Sequence, residues 1–176
     1  VPLTLQILRH AKSSRDDPAL ADMERPLNAR GQRDAGRMGE YMMQNGLVPD
    51  RVLCSPALRT RQTWSMAAAR MTAPPAATLC PELYDFGDGA ALLASLRMKG
   101  GDAARLMMIT HNPATQALAL RLTGSGSKGL RQKLRQKYPT GALAVITFPD
   151  GPWADIAEGQ GRLESFTRPR DLEPRD

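Results

Sequence analysis

The chain has 176 residues, 41% of them hydrophobic and 24% charged, with a formal net charge of +6 at neutral pH. This length predicts one domain with a substantial core, and no apolar run approaches the ~20 residues of a membrane-spanning helix, so no membrane partner is expected. Aromatic residues make up only 5% of the chain and the basic ones are dispersed (Arg59, Arg61, Arg131, Lys133, Arg135, Lys137, Arg168, Arg170), which reads as a solvated surface rather than a nucleic-acid footprint, with a basic nucleic-acid-binding domain as an alternative.

In chain order, residues 3–8 read as a buried strand and 14–27, with Asp16, Asp17, Pro18 and Pro26, as a loop. Asn28 is a helix N-cap. Its helix runs from 29 to about 45, with Met38, Tyr41 and Met42 on an apolar stripe and Gly46 as the stop. Residues 51–54 form a second strand. Ser55 then caps a helix that has Pro56 in its first turn and reaches about residue 71. Residues 78–80 are a short strand, 81–89 a loop, and 90–99 a helix broken by Gly100-Gly101. Residues 105–110 are a further strand, after which Pro113 opens a helix ending near Gly124. Residues 125–127 read as flexible and 130–137 as a short basic helix. Residues 141–148 and 162–167 read as strands of a hairpin at one sheet edge. This alternation predicts a three-layer α/β/α sandwich whose sheet is mostly parallel with an antiparallel edge. Residues 1–168 are expected to be that single domain, and 169–176 an exposed charged tail. The start, Val1-Pro2-Leu3-Thr4, lacks a signal-like stretch. The two cysteines, Cys54 and Cys80, lack a metal-ligand spacing, so a cytoplasmic chain with reduced thiols is expected.

The chain has only two histidines, His10 and His111. Each follows an apolar run that reads as a buried strand, and each precedes loop or helix-start chemistry. Both therefore fall at strand ends, the edge where open α/β sheets bind ligands. The first strand delivers Arg9 and His10. The second delivers Ser55, with Arg59 one turn into the next helix. Two arginines, two histidines and helix N-termini at one edge make an anion pocket. A phosphoryl group is the most economical ligand, and a histidine can be its covalent acceptor.

These residues carry a resemblance. Arg9-His10-Ala11-Lys12-Ser13 resembles the Arg-His-Gly signature of the histidine phosphatase (phosphoglycerate mutase-like) superfamily, with alanine in place of glycine. The segment from Ser55-Pro56 through Arg59 to Thr63 is similar to its Ser-Pro-x-x-Arg-x-x-x-Thr signature, and Thr110-His111-Asn112 to its second-histidine motif. Pro26-Leu27-Asn28, followed by Gly31, matches its Pro-Leu-Thr/Asn-x-x-Gly helix start. The resemblance covers residues 3 to 148. The short length and Ala11 most resemble the SixA-type phosphohistidine phosphatases.

The resemblance implies a phosphoglycerate mutase-like fold and a phosphatase that needs neither metal nor cofactor. His10 would be the nucleophile, and Arg9, Arg59 and His111 would hold the phosphate. Arg25 either contacts substrate from the long loop or only pairs with Asp16 or Asp22. Many members supply a proton donor from a Leu-x-Glu-x-x-Phe-Gly-like loop. Here Pro81-Glu82-Leu83-Tyr84-Asp85-Phe86-Gly87 places Leu83 at that position. The donor is then Glu82, one residue off, or Asp85, or it is absent. Absence would suit a phosphohistidine substrate, because imidazole leaves more easily than an alkoxide. The implied partner is a phosphorylated phosphorelay or phosphotransfer protein. The alternatives are a small phosphomonoester substrate, or a non-catalytic phosphate-binding adaptor.

Overall fold

Strand β1 (Leu3–Arg9) occupies the middle of the fold. In the computed structural model, which describes residues 1–174, its side chains are buried alternately on two sides. Leu3, Leu5 and Ile7 enter one apolar cluster and Leu8 the other. Strand β4 (Arg105–Thr110) divides likewise, Leu106 and Met108 to the first cluster, Met107 and Ile109 to the second. Burial on both faces is what parallel strands covered by helices require. The sheet also contains β2 (Arg51–Cys54), β3 (Ala77–Leu79), β5 (Thr123–Gly126), β6 (Leu143–Phe148) and β7 (Gly161–Thr167). Its order is β3-β2-β4-β1-β6-β7-β5. The first four strands are mutually parallel, and β6 runs antiparallel to both β1 and β7.

Helices α1 (Ala29–Gln44) and α2 (Leu58–Ala68) cover one face, burying Met38, Met42, Trp64 and Ala67. Helices α3 (Ala90–Lys99), α4 (Ala114–Leu122) and α5 (Lys128–Gln136) cover the other with Leu92, Leu96, Leu118, Leu122 and Leu134. The result is the expected three-layer α/β/α sandwich. Among the described residues no helix is long and apolar enough to cross a membrane.

The start of α1 is tied to the loop that follows β1. The Asn28 side chain accepts from the Gly31 amide at 2.8 Å, and the Asn28 amide donates to the Lys12 carbonyl at 3.0 Å. A Cβ on Gly31 would lie 2.1 Å from that same carbonyl oxygen, so only glycine lets the helix approach so closely.

Four expectations are corrected. Ser55 does not cap α2, which begins at Leu58 with no side-chain cap, because its hydroxyl is engaged elsewhere. Residues 123–126 are a strand beside β7, although glycine and serine carry no strand propensity. Tertiary pairing imposes it, and a Cβ on Gly124 would meet the Gly159 carbonyl oxygen at 1.8 Å. The β6–β7 hairpin is therefore not the edge, since β5 lies outside it. The chain after residue 168 is not simply an exposed tail. Pro169–Leu172 forms a 3₁₀ turn with Pro169 buried and Leu172 against the α1–α2 cluster. Two apolar residues among charges are enough to dock it. Residues 175 and 176 lie outside the described residues.

Candidate active site

Parallel pairing sets three side chains in a row. Arg9 is in register with Thr110, and Cys54 with Ile109. The next residues, His10, His111 and Ser55, emerge together at the ends of adjacent strands. The His10 amide donates to the Thr110 carbonyl at 3.3 Å and the Ser55 amide to the Ile109 carbonyl at 3.1 Å. The imidazole centroids are 5.3 Å apart. Both rings line a cavity of about 470 Å³ shared with Arg9, Arg25 and Arg59, its floor formed by the sheet edge and its sides by loops.

His10 is 6% exposed. Its Nδ1 lies 2.7 Å from the Ala11 carbonyl oxygen. A carbonyl only accepts, so Nδ1 carries the proton and Nε2 keeps its lone pair. Burial is the main force lowering the His10 pKa to about 3; the Ala11 carbonyl opposes it, and Arg59, Arg9 and Arg25 add to it. The ring is therefore a neutral base with one free nitrogen. Ala11 is fixed in turn by Thr63, whose hydroxyl accepts from the Ala11 amide at 3.0 Å and donates to the Arg59 carbonyl at 2.7 Å.

His111 has the opposite tautomer. Arg59 Nη2 is a donor 3.3 Å from His111 Nδ1, so the proton sits on Nε2, which donates to Ser55 Oγ at 2.7 Å. Burial again leads in lowering the His111 pKa to about 3, followed by His10 and Arg59. Tyr84 and Phe86 enclose the ring at 5.3 and 4.9 Å.

Arg9 reaches the Tyr138 carbonyl through Nη1 at 2.8 Å, and Tyr138 is itself pinned inside the sheet by its hydroxyl, which donates to the Ile7 carbonyl. Arg59 is 2% exposed and donates through Nη1 to the Asp22 carbonyl (2.7 Å) and through Nη2 to the Asp22 carboxylate (2.9 Å). Arg9 Nε and Arg59 Nε are both buried without a protein acceptor. Both guanidinium groups line the cavity, where cationic forks suit an oxyanion. Arg25 pairs with Asp22 at 3.1 Å, donates to Ser13 Oγ at 2.8 Å and lines the cavity.

Asp22, Tyr84 and Tyr138 were not legible as site residues. Asp22 accepts from Arg59, Arg25 and the Tyr84 hydroxyl. Burial alone would raise its pKa, but the bonds from Tyr84 and Arg59 outweigh it and hold the carboxyl well below its ordinary range. No spacing rule joins these positions, since loop closure alone brings them together.

Glu82 is not in the cavity. Its carboxylate pairs with Lys99 of α3 and accepts from Ser95 Oγ at 3.2 Å. The Lys99 bond lowers its pKa, the reverse of what a proton donor needs. Leu83, at the position of the family's glutamate, is fully buried in the core. Asp85 is not among the lining residues; Asp16 and Asp22 are the carboxylates that are. Cys54 is buried, and burial pushes its thiol up to about 12, as suits an unreactive core residue. Among the described residues no three His, Cys, Asp or Glu side chains cluster as metal ligands.

The buried neutral histidines predict acid lability. Their folded pKa values of about 3 lie below the unfolded value of 6.5. Between those limits the unfolded chain binds protons that the native chain does not, so stability is retained above pH 6.5 and lost as pH falls toward 3. From pH 7.5 to 5 the expected loss is about 2 kcal/mol for each histidine. Urea midpoints across this range measure it. A midpoint indifferent to pH would refute burial of both rings in the neutral form.

A sequence profile of the histidine phosphatase superfamily (branch 1) matches residues 5–91. An uncharacterized protein of Mycobacterium tuberculosis (strain H37Rv) is 36% identical over 165 residues, spanning 93% of this chain and 100% of that protein. The phosphohistidine phosphatase SixA of Escherichia coli (strain K12) is 27% identical over 145 residues, spanning 82% of this chain and 84% of that protein. A solved structure of the protein histidine phosphatase SixA complexed with tungstate superposes with a TM-score of 0.78 at 25% identity, covering 97% of this chain and 100% of that one.

Proposed function

Because the chain belongs to the histidine phosphatase superfamily and is a phosphatase, we propose that it hydrolyses phosphohistidine on a protein, with His10 as the transient phosphoryl acceptor. The observation that carries this reading is the pairing of a neutral His10, its Nε2 free, with a cavity whose rim carboxylate, the exposed Asp22, is held in the ionised form by Tyr84, Arg59 and Arg25. His10 Nε2 attacks phosphorus and forms an N–P bond as the substrate's P–N bond breaks. The electron pair of that bond goes to the leaving imidazole. Once its other ring nitrogen is protonated, that group departs as neutral imidazole and needs no proton at the scissile atom. The His10 ring gains positive charge as the bond forms, and the Ala11 carbonyl, already accepting from Nδ1, stabilises it. Arg9 and Arg59 neutralise the phosphoryl oxygens. Water then attacks phosphorus and returns His10 to its neutral form. An alkyl ester would need a proton on its departing oxygen; the ionised Asp22 and remote Glu82 are poor sources, which leaves Asp16 as the other carboxylate of the cavity lining. The similarity to a protein named phosphohistidine phosphatase, and to a structure holding the tetrahedral oxyanion tungstate, supports the same substrate class and site. A phosphorelay or phosphotransfer protein is the kind of substrate that carries this group.

The test is kcat/KM on a phosphohistidine peptide, an aryl phosphate and an alkyl phosphate. The expected order is phosphohistidine first and the alkyl ester last, with a gap of at least about a hundredfold, the usual worth of a general acid. Glu82→Gln should leave all three rates within about twofold, as for a surface side chain. Efficient alkyl ester hydrolysis that collapses in Glu82→Gln would return the acid role to Glu82 and overturn the reading.

A further inference from the structure

Residues 128–137 contain five cationic side chains (Lys128, Arg131, Lys133, Arg135, Lys137) and no acidic one, in a chain whose formal net charge is +6. Among the described residues none of the five forms an ion pair. Leu134 is the buried residue of α5, so the helix is fastened there and its cationic side chains are distributed around the rest of its circumference. Gln116 Nε2 donates to the Leu134 carbonyl at 2.9 Å, and the Gln116 amide donates to Asn112 Oδ1, next to His111. The chain leaving α5 then passes through Tyr138, whose carbonyl holds Arg9, to Thr140 on the cavity rim.

A second groove, about 250 Å³, adjoins the cavity at Thr140. It brings Arg30, Lys137, Arg168 and Arg170 together from three distant parts of the chain. Arg168 is neutralised by Asp171 at 2.8 Å and Arg30 is weakly paired with Asp34 at 3.6 Å. Lys137 and Arg170 are exposed and have no carboxylate partner among the described residues. The groove is joined through Lys137 to α5, a nine-residue helix about 13 Å long, and the two together make a cationic strip beside the cavity. A strip of that length exceeds what a small phosphorylated metabolite spans, and it offers no exposed aromatic ring for stacking a base: its aromatic residue, Tyr138, is buried.

We propose that this strip is the docking surface for an acidic protein substrate, whose carboxylates meet Lys137, Arg170 and the exposed side of α5 while its phosphohistidine enters the cavity. This rests on the phosphohistidine reading above and adds the surface chemistry of the partner. Rim charges of this kind act mainly by steering encounter and fixing orientation.

The test uses synthetic phosphohistidine peptides flanked by Asp and Glu or by Ser and Gly, free phosphohistidine, and the double variant Lys137→Glu/Arg170→Glu, with Lys137→Gln/Arg170→Gln as the milder control. The wild-type protein is expected to favour the acid-flanked peptide in kcat/KM by about tenfold at low salt, within the range electrostatic steering supplies. The preference should vanish in the Glu variant, shrink in the Gln variant and fade with salt, while free phosphohistidine is turned over unchanged. Equal loss on free phosphohistidine would show damage to the site and overturn the docking role, as would a preference that survives both variants. Binding of the unphosphorylated acid-flanked peptide is measured in parallel. If no phosphohistidine substrate is cleaved but this binding is present and lost in the Glu variant, the substrate reading fails and the docking surface stands. If binding is absent, or an oligonucleotide binds the strip more tightly than the peptide, the docking proposal fails.

Discussion

His10→Ala will reduce turnover by at least about a thousandfold and abolish the phosphoenzyme, while the chain still folds. The side chain supplies the one ring nitrogen in the cavity with an uncommitted lone pair. His111 cannot replace it, because its Nδ1 accepts from Arg59 and its Nε2 donates to Ser55. Rapid quench with a phosphohistidine substrate should trap an acid-labile, base-stable phosphoryl group on the wild-type protein and none on the variant. The structural cost is small: His10 belongs to neither main apolar cluster, and the Ala11 carbonyl loses one hydrogen bond, worth about 1 kcal/mol. Far-UV circular dichroism should be unchanged. A variant that still forms the phosphoenzyme would move the nucleophile elsewhere.

Arg59→Lys will lower kcat/KM by about a hundredfold or more and weaken inhibition by inorganic phosphate. One guanidinium holds the Asp22 carbonyl, the Asp22 carboxylate and His111 Nδ1 at the same time. An ammonium is a point charge and cannot reproduce a planar fork with three partners. Its loss also removes the donor that sets the His111 tautomer, and it frees the loop carrying Asp22 from α2. The Asp22 carboxylate keeps its bonds from Tyr84 and Arg25, so the loop is loosened and not released. A rate within threefold of the wild type would mean that charge alone, and not fork geometry, serves the phosphoryl group.

Charge gathered by the fold was hidden in the same way. Lys137, Arg168 and Arg170 are dispersed in the sequence and read there as an ordinary solvated surface, and Arg30 lies far from them in the chain. Docking of α5 on α4, and of the 3₁₀ turn at Pro169–Leu172 on α1, collects them beside the cavity. The excess positive charge thereby becomes a directed feature.

What the sequence by itself determined is local. Apolar runs named β1, β2 and β4, because a strand buried on both faces has to be continuously apolar. Histidines placed directly after two such runs, with Ser55 and Arg59 after a third, located the candidate site, which the fold gathers at one cavity. Those positions need only the rule that parallel strands end together. Asn28 marked the start of α1, because an N-cap acts within one turn. The tertiary structure alone decided which partner each side chain meets. Glu82 is one residue from the family's acid position, yet it is turned toward Lys99 while Leu83 fills the core. Asp22 is far from Arg59 in sequence and becomes its main acceptor once the long loop is closed by the Ser14–Pro26 and Asn28–Lys12 bonds. β5 exists because β7 offers it a free edge. Local chemistry dictates backbone conformation over a few residues, whereas the ionisation and role of a side chain depend on groups that only packing brings within a few ångströms.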